Sequence, residues 1–398
     1  MGRLAFLGFV GSGLLGAIGC AADPGVTAAT GGAGAGTSGS GGRPGRNGGS
    51  GGDIAFTGLG GTSGGGGAAA TRPPVSCQNL DRAEQDACPR GMRTTVSGTV
   101  YDPAGKVPLY NVVVYAPSAP LASIATGPSC DTCESPVSGK PVAATLTDTK
   151  GNFRFAVPAC IKSIVIQIGK WRREVPLPNL VPCAENAITD RNLTRLPRNQ
   201  SEGHMPRIAL TTGGADALQC FLRRIGIDDA EFTPEAGKGR VNFYSGLNGT
   251  TAYAPQLNGG AVLTQAPMLW SSLDALKKYD ILMLSCEGAE TLNNKSPAAR
   301  QAVQDYANVG GRVFASHWHN QWLWRGPAPF STVATFMGRR DLPSPITVTI
   351  DTSFPKGAAM AEWLVNVGGS ATLGPIGPPG DVPPATLGAD VWRRWSPW

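Results

Sequence analysis

Arg207-Ile-Ala-Leu-Thr-Thr-Gly-Gly-Ala-Asp216 decides how the second half of this chain folds. Ile208 to Thr212 is a continuous buried-strand run, and Gly213-Gly214 is a turn signal. Beyond the turn, Leu218, Phe221, Leu222 and Ile225 recur at helical spacing up to Gly226, a residue suited to close a helix in the left-handed conformation. The unit is therefore strand, turn, helix. Downstream the same alternation returns. Trp270 to Lys278 reads as a short helix and Tyr279-Asp-Ile-Leu-Met-Leu-Ser285 as a central strand. Ser296-Pro297 opens a helix as N-cap and first-turn proline, with Ala299, Ala302, Val303 and Tyr306 on its apolar face. Gly310-Gly311 closes that helix before the strand Arg312-Val-Phe-Ala-Ser316. Strands alternating with helices at this spacing predict a parallel, doubly wound α/β domain over 205–370.

Upstream the period changes. Val96-Ser-Gly-Thr-Val100, Val112-Val-Val-Tyr115, Ala143-Ala-Thr-Leu146, Phe153-Arg-Phe155 and Ile164-Val-Ile-Gln-Ile168 are short β-branched or alternating runs separated by Gly, Pro and Asp. They predict an antiparallel β-sandwich over 94–200. Gly98-Thr-Val-Tyr-Asp102, Pro108-Leu-Tyr-Asn-Val-Val-Val114 and Thr147-Asp-Thr-Lys-Gly-Asn-Phe-Arg-Phe155 resemble, in order, three blocks of the carboxypeptidase regulatory-like family. That resemblance implies a transthyretin-type, carbohydrate-binding-like sandwich acting as a stalk or adhesive module, and no catalysis. The stretch between Tyr115 and Ala143 is longer than the pattern needs and contains Cys130-Asp-Thr-Cys133. It reads as an inserted loop stapled by that pair, with a metal site or a redox pair as the alternatives.

The N-terminus is an address. Arg3 precedes an apolar run from Leu4 to Cys20 that is too short to span a membrane, so a secretory signal over 1–20 is expected. Ala17-Ile-Gly-Cys20 resembles the lipobox of bacterial lipoproteins, which implies acylation of Cys20 and a membrane partner through that lipid. The residues after Cys20 are Ala21-Ala22 and not Asp, so by the same resemblance an outer-membrane-anchored or extracellular protein is expected. Residues 21–70 are Gly, Ala and Ser with too little apolar surface to fold, a tether with a reach of about 40 Å. Segment 71–93 contains Cys77 and Cys88, which bracket what reads as a disulfide-closed cap.

The full chain has 398 residues, nine of them Cys, and a formal net charge of +6. The basic residues are dispersed and lack an aromatic-interleaved stripe, so nucleic acid is excluded as a partner. With Cys20 acylated, Cys77, Cys88, Cys130, Cys133, Cys160, Cys183, Cys220 and Cys286 form an even set, expected as disulfides in an exported chain.

Ligands in doubly wound sheets bind beyond the carboxyl ends of the strands. The residues there are Thr212 to Asp216, then Cys286-Glu287-Gly288, then Ser316-His-Trp-His-Asn-Gln321. This part resembles the class I glutamine-amidotransferase-like superfamily, with Ser316 at the place of its cysteine nucleophile and His319 shortly after it. No His-x-Glu pair follows, so glutaminase activity is not expected. A hydrolase of another kind would use Ser316 or Cys286 as nucleophile, His317 or His319 as base, and Glu287 beside them. No cofactor is required, although His317, His319 and Glu287 offer three ligands to a divalent metal. Trp318 and Trp322 read either as a sugar platform or as loop packing. Trp171, Arg172 and Arg173 read either as a cationic aromatic patch for an anionic glycan or lipid headgroup or as an edge strand, and a glycan or a surface protein is the expected ligand of the whole. Thr211 to Asp216 offers backbone donors to an anion, or simply turns. At the far end, Ile346 to Ile350 reads as a strand and Gly357 to Val367 as a helix. Residues 371–398 are a Pro/Gly-rich tail closing on Trp392, Trp395 and Trp398, which suggests a frameshift or an incomplete domain. The leading expectation is a non-catalytic surface protein with a ligand-binding α/β domain. The alternative is a surface hydrolase.

Overall fold

The computed structural model describes residues 88–130, 137–332 and 348–376. The expectations for Cys20, Cys77, Cys133, the signal, the tether and the Trp-rich end lie outside these residues. The described chain mixes helices with several sheets, some antiparallel and one parallel.

Seven strands form the first region: β1 (Thr95–Thr99), β2 (Val113–Pro117), β3 (Pro141–Leu146), β4 (Asn152–Ala156), β5 (Ser163–Ile168), β6 (Trp171–Pro176) and β7 (Glu185–Ile188). They make a three-stranded sheet, β4-β1-β7, and a four-stranded one, β3-β2-β5-β6. The second is antiparallel throughout, whereas β7 joins the first parallel to β1. Alternation decides which side chains turn inward. Val96, Phe153 and Phe155 from one sheet meet Val114, Ile164, Ile166 and Val175 from the other in a single aliphatic and aromatic cluster. Burying each such side chain contributes about 1.5–3 kcal/mol.

The turns follow from side-chain chemistry. Asp102 Oδ1 accepts from the amides of Lys106 at 2.7 Å and Val107 at 3.1 Å, and Asp148 Oδ1 accepts from Lys150 at 2.9 Å and Asn152 at 2.7 Å. At Gly151, φ is +77° and a Cβ would press on Pro108 and the Val100 carbonyl, so only glycine fits.

Cys88 pairs with Cys183, which fastens the segment before β1 to the turn leading into β7. Cys160 and Cys220 are also disulfide-bonded. These findings correct two pairings. Cys88 does not close a cap with Cys77, because its Cα lies 5.4 Å from that of Cys183. Cys130 is free and exposed, so Cys130 and Cys133 do not staple the insert. The insert is held instead by the second region: Gly127 N donates to Asp280 Oδ1 at 2.9 Å, and Lys170 Nζ pairs with the same carboxylate at 2.8 Å.

A connector with a short helix, α1 (Arg191–Thr194), capped by the Asp190 carboxylate, leads to the parallel sheet. Its strands and helices run β8 (Ile208–Thr211), α2 (Leu218–Arg224), β9 (Val241–Ser245), β10 (Thr264–Gln265), α3 (Ala266–Leu269), α4 (Leu273–Leu276), β11 (Ile281–Leu284), α5 (Pro297–Asn308), β12 (Arg312–Ala315) and α6 (Gln321–Trp324). The sheet order is β10-β9-β8-β11-β12, every pair parallel. Strand alternation feeds two cores. Ile208, Leu210 and Met283 join Leu222 and Phe243 on one face, while Ala209, Leu282 and Leu284 join Val303, Tyr306 and Trp270 on the other.

The α5 signals hold in full. Ser296 Oγ accepts from Ala299 N at 3.2 Å, and Ala299, Ala302, Val303 and Tyr306 are buried. The helix expected over Trp270 to Lys278 is the shorter α4, whose start is set by Ser272 accepting from Ala275 N, and the separate turn α3 ends just before Trp270. Finally β13 (Val348–Thr349), α7 (Pro355–Asn366) and β14 (Pro375–Ile376) form a small appendage. It leans on the first region, where Trp363 Nε1 donates to the Pro108 carbonyl at 2.8 Å.

Candidate functional site

The chain order reverses between β8 and β11, and the loops that leave these strands carry most of the candidate residues. The glycines here serve close packing. A Cβ on Gly213 would collide with the Cys286 carbonyl, and one on Gly246 with that of Thr212. The loops after β8, β9 and β11 therefore touch backbone to backbone, and the Thr211 to Asp216 glycines act as spacers for loop contact.

Asp216 ties the strand ends together. Its Oδ2 accepts from Cys286 N at 3.0 Å and from the Ser316 hydroxyl, while Ala215 N donates to the Cys286 carbonyl at 3.0 Å. Ser316 Oγ also contacts the Leu284 carbonyl at 3.1 Å. No histidine faces that hydroxyl in these contacts, so Ser316 lacks the base a serine nucleophile needs.

Cys286 is free, which corrects its expected pairing, and its side chain is fully buried. Its Sγ lies 3.2 Å from His317 Nδ1 and 3.4 Å from Gly288 N, and the Trp318 amide also points at it. Burial pushes the thiol up, and the nearby Asp216 and Glu287 charges push the same way. His317 is exposed and adopts φ +41°, a left-handed conformation uncommon outside glycine. Burial on its inner side lowers its pKa.

His319 is the clearest correction. It was a candidate base and metal ligand, yet both ring nitrogens are used inside the fold. Nε2 lies 2.8 Å from the Ser285 carbonyl, and Trp322 Nε1 donates to Nδ1 at 2.9 Å. That pattern fixes the neutral tautomer with its proton on Nε2. Burial drives the imidazole down to about 4. His317 and His319 also do not project together from an extended segment, because His317–Asn320 is a 3-10 turn. Among the described residues no group of three His, Cys, Asp or Glu could hold a metal ion, so His317, His319 and Glu287 are not a metal centre.

Glu287 is committed as well. Its Oε2 pairs with Lys295 Nζ at 2.6 Å and accepts from the Thr291 hydroxyl, and its Oε1 accepts from Leu247 N at 3.3 Å. Both partners are at most 1% exposed. Burial alone would raise this carboxyl, but the Lys295 and Thr291 hydrogen bonds outweigh it and hold Glu287 below its usual range. Burial lowers the Lys295 ammonium. That ammonium sits 5.4 Å from the Trp270 ring centroid and 5.9 Å from that of Trp322, in an aromatic box. Sequence reading missed Lys295, since a lone lysine before Ser-Pro looks like a solvated helix start.

Trp322 packs inside the fold and offers no face to a sugar. Trp322 is buried edge-on against Trp270, with ring centroids 5.1 Å apart. Trp318 is half-buried. The Trp171 to Arg173 patch is consumed too. Trp171 Nε1 donates to the Pro197 carbonyl at 2.9 Å, Arg172 to Ser138 Oγ and the Ala122 carbonyl, and Arg173 to the Asn192 carbonyl at 2.6 Å. These residues stitch an edge strand to its surroundings.

Open space lies elsewhere. A groove of about 720 Å³ crosses the outward side of the three-stranded sheet, lined by Ser97, Thr99, Thr145, Asn152, Arg154 and Arg191 among others. Comparison with known proteins returns nothing: no family model, no curated protein and no solved structure matches the chain.

Proposed function

We propose that the protein is an exported surface protein without catalysis of its own. It is held to the outer membrane by lipid on Cys20 or released outside the cell. Its first region is a carboxypeptidase regulatory-like, transthyretin-type β-sandwich that spaces or adheres, and its second an amidotransferase-like, doubly wound α/β domain. The single aliphatic core shared by two sheets supports the first assignment, and the reversal of strand order between β8 and β11 the second. The observation that carries the non-catalytic reading is the commitment of the strand-end residues. Ser316 is bonded to a carboxylate, His319 is locked at both nitrogens, and Cys286 is buried as a thiol. Bonded Cys88, Cys160, Cys183 and Cys220 suit an oxidising compartment.

The groove on the three-stranded sheet offers hydroxyl, amide and guanidinium groups beside Leu146 and Ile188, a mixture that suits a polyhydroxylated ligand. We assign it a glycan. Glycan-array binding by the purified, oxidised protein should appear and fall at least about tenfold in Asn152→Ala/Arg154→Ala, as expected when polar groups are left unpaired. Absence of binding, or binding indifferent to that pair, sinks the assignment. Export is tested separately: Cys20→Ser should abolish lipid labelling and membrane retention.

A second reading, a thiol hydrolase, is favoured by the contact of Cys286 Sγ with His317 Nδ1 under two backbone amides. Hydrolysis of an activated ester that vanishes in both Cys286→Ser and His317→Ala would establish it in place of the first.

A further inference from the structure

A second groove, of about 650 Å³, lies where the two regions meet, and it takes no part in the reading above. Four arginines line it, Arg195, Arg198, Arg223 and Arg224, against two carboxylates, Asp228 and Asp229. The acids act as braces. Asp229 takes Arg223 at 2.6 and 2.8 Å, and the adjacent Glu202 takes Arg195 at 2.5 and 2.7 Å. Glu202 also accepts from Arg198, whose contact with Asp228 is longer at 3.8 Å. Arg224, exposed at the end of α2, has no ion pair among the described residues.

The groove is also rigid. Ala104 N donates to the Ile225 carbonyl at 2.8 Å, and at Gly226 (φ +93°) any Cβ would collide with Ala104. Backbone of one region rests directly on backbone of the other, so the segments that carry the arginines are fixed before a ligand arrives, with Arg195 and Arg223 braced by Glu202 and Asp229.

We propose that this junction groove is a binding site for an anionic group, a phosphate or a carboxylate, seated between Arg198 and Arg224. Guanidinium forks suit such groups through paired N–H donors. The site draws on both regions and the connector, since Pro103 and Ala104 come from the first region, Asn192, Arg195 and Arg198 from the connector, and Arg223 and Arg224 from α2.

Calorimetry on the full, oxidised protein with inorganic phosphate, pyrophosphate and citrate tests it. Saturable 1:1 binding is expected that weakens as ionic strength rises and the Debye length falls to about 10 Å or less. Arg224→Glu should weaken binding at least about tenfold, and Arg198→Ala by about three- to tenfold. Arg224→Lys should retain part of the affinity. Lys150→Glu, on an exposed turn of the first region, should change nothing. Preference for citrate marks a carboxylate ligand and preference for pyrophosphate a phosphoryl one, and either supports the site. No heat with any probe, or equal binding in Arg224→Glu and Lys150→Glu, overturns it. Unchanged thermal unfolding in each variant separates lost binding from lost fold.

Discussion

The two regions solve the problem of internal polarity in opposite ways. In the first, charge is kept at turns and rims: Asp102 and Asp148 brace loops while the space between the sheets is aliphatic and aromatic. In the second, an ion pair and a histidine are buried beneath the strand ends among Trp270 and Trp322. An aliphatic core tolerates acid and salt and fails through cavities or a lost cross-link. A core that holds charge fails when one partner is removed or protonated.

Breaking the covalent tie should have the largest effect on the first region. Replacing Cys88 and Cys183 together by Ser removes a link between residues 95 apart, which is expected to cost about 4–5 kcal/mol by the loop-entropy argument. Denaturant unfolding with and without the link measures it. A cost below about 1 kcal/mol would show that the sheets hold β7 unaided.

Lys295→Met should destabilise the second region by about 3–5 kcal/mol, because Glu287 would be left charged and buried. Lys295→Met/Glu287→Leu should recover much of that loss. Hydrogen exchange at β11 and β8 reads this region apart from the first, and equal loss in both regions would contradict the contrast.

Acid sharpens the comparison further. The folded pKa of His319 is about 4, against an ordinary value near 6.5. The unfolded chain therefore binds the proton more readily, so stability is complete above about pH 6.5 and lost as pH falls towards about 4. The loss amounts to about 3 kcal/mol, and His319→Gln should flatten that slope. Glu202 behaves with the same sign in a lower window. Arg195 holds it at about 2, so its contribution persists above about pH 4.5 and fades towards about pH 2. The second region should therefore loosen first on acidification, before the junction. Tryptophan fluorescence of the Trp270 and Trp322 pair follows it, and a single transition centred below pH 4 would count against the order.

The smallest effect is expected at Trp363→Phe, which removes the hydrogen bond to the Pro108 carbonyl and should cost about 1 kcal/mol, read as faster exchange in α7 alone.

Periodicity made much of this legible. The α5 cap and face, the β8 turn and α2 all stand where spacing put them, because backbone hydrogen bonding and burial act over a few residues. The site did not read as well. Whether His319 meets solvent or Ser285 depends on a strand 34 residues away, and its locked tautomer leaves no trace in spacing. Pairing of Cys88 with Cys183 depends on which loops converge, whereas sequence proximity pointed to Cys77. Lys295 was invisible for the same reason: its burial is decided by two tryptophans on other elements. The insert was legible as an insert, but its attachment was not, since Asp280 lies in the other half of the chain.

Asp280 also imposes an order on assembly. The Lys170 ammonium and the Gly127 amide emerge with the first region, while the carboxylate they share is 110 residues beyond Lys170. Wherever the chain folds from its N-terminal side, as it emerges from a translocation channel or a ribosome, that carboxylate follows after those 110 residues. Through that interval the latch has no keeper, and the sheets of the first region must hold their shape before the second half arrives to lock them.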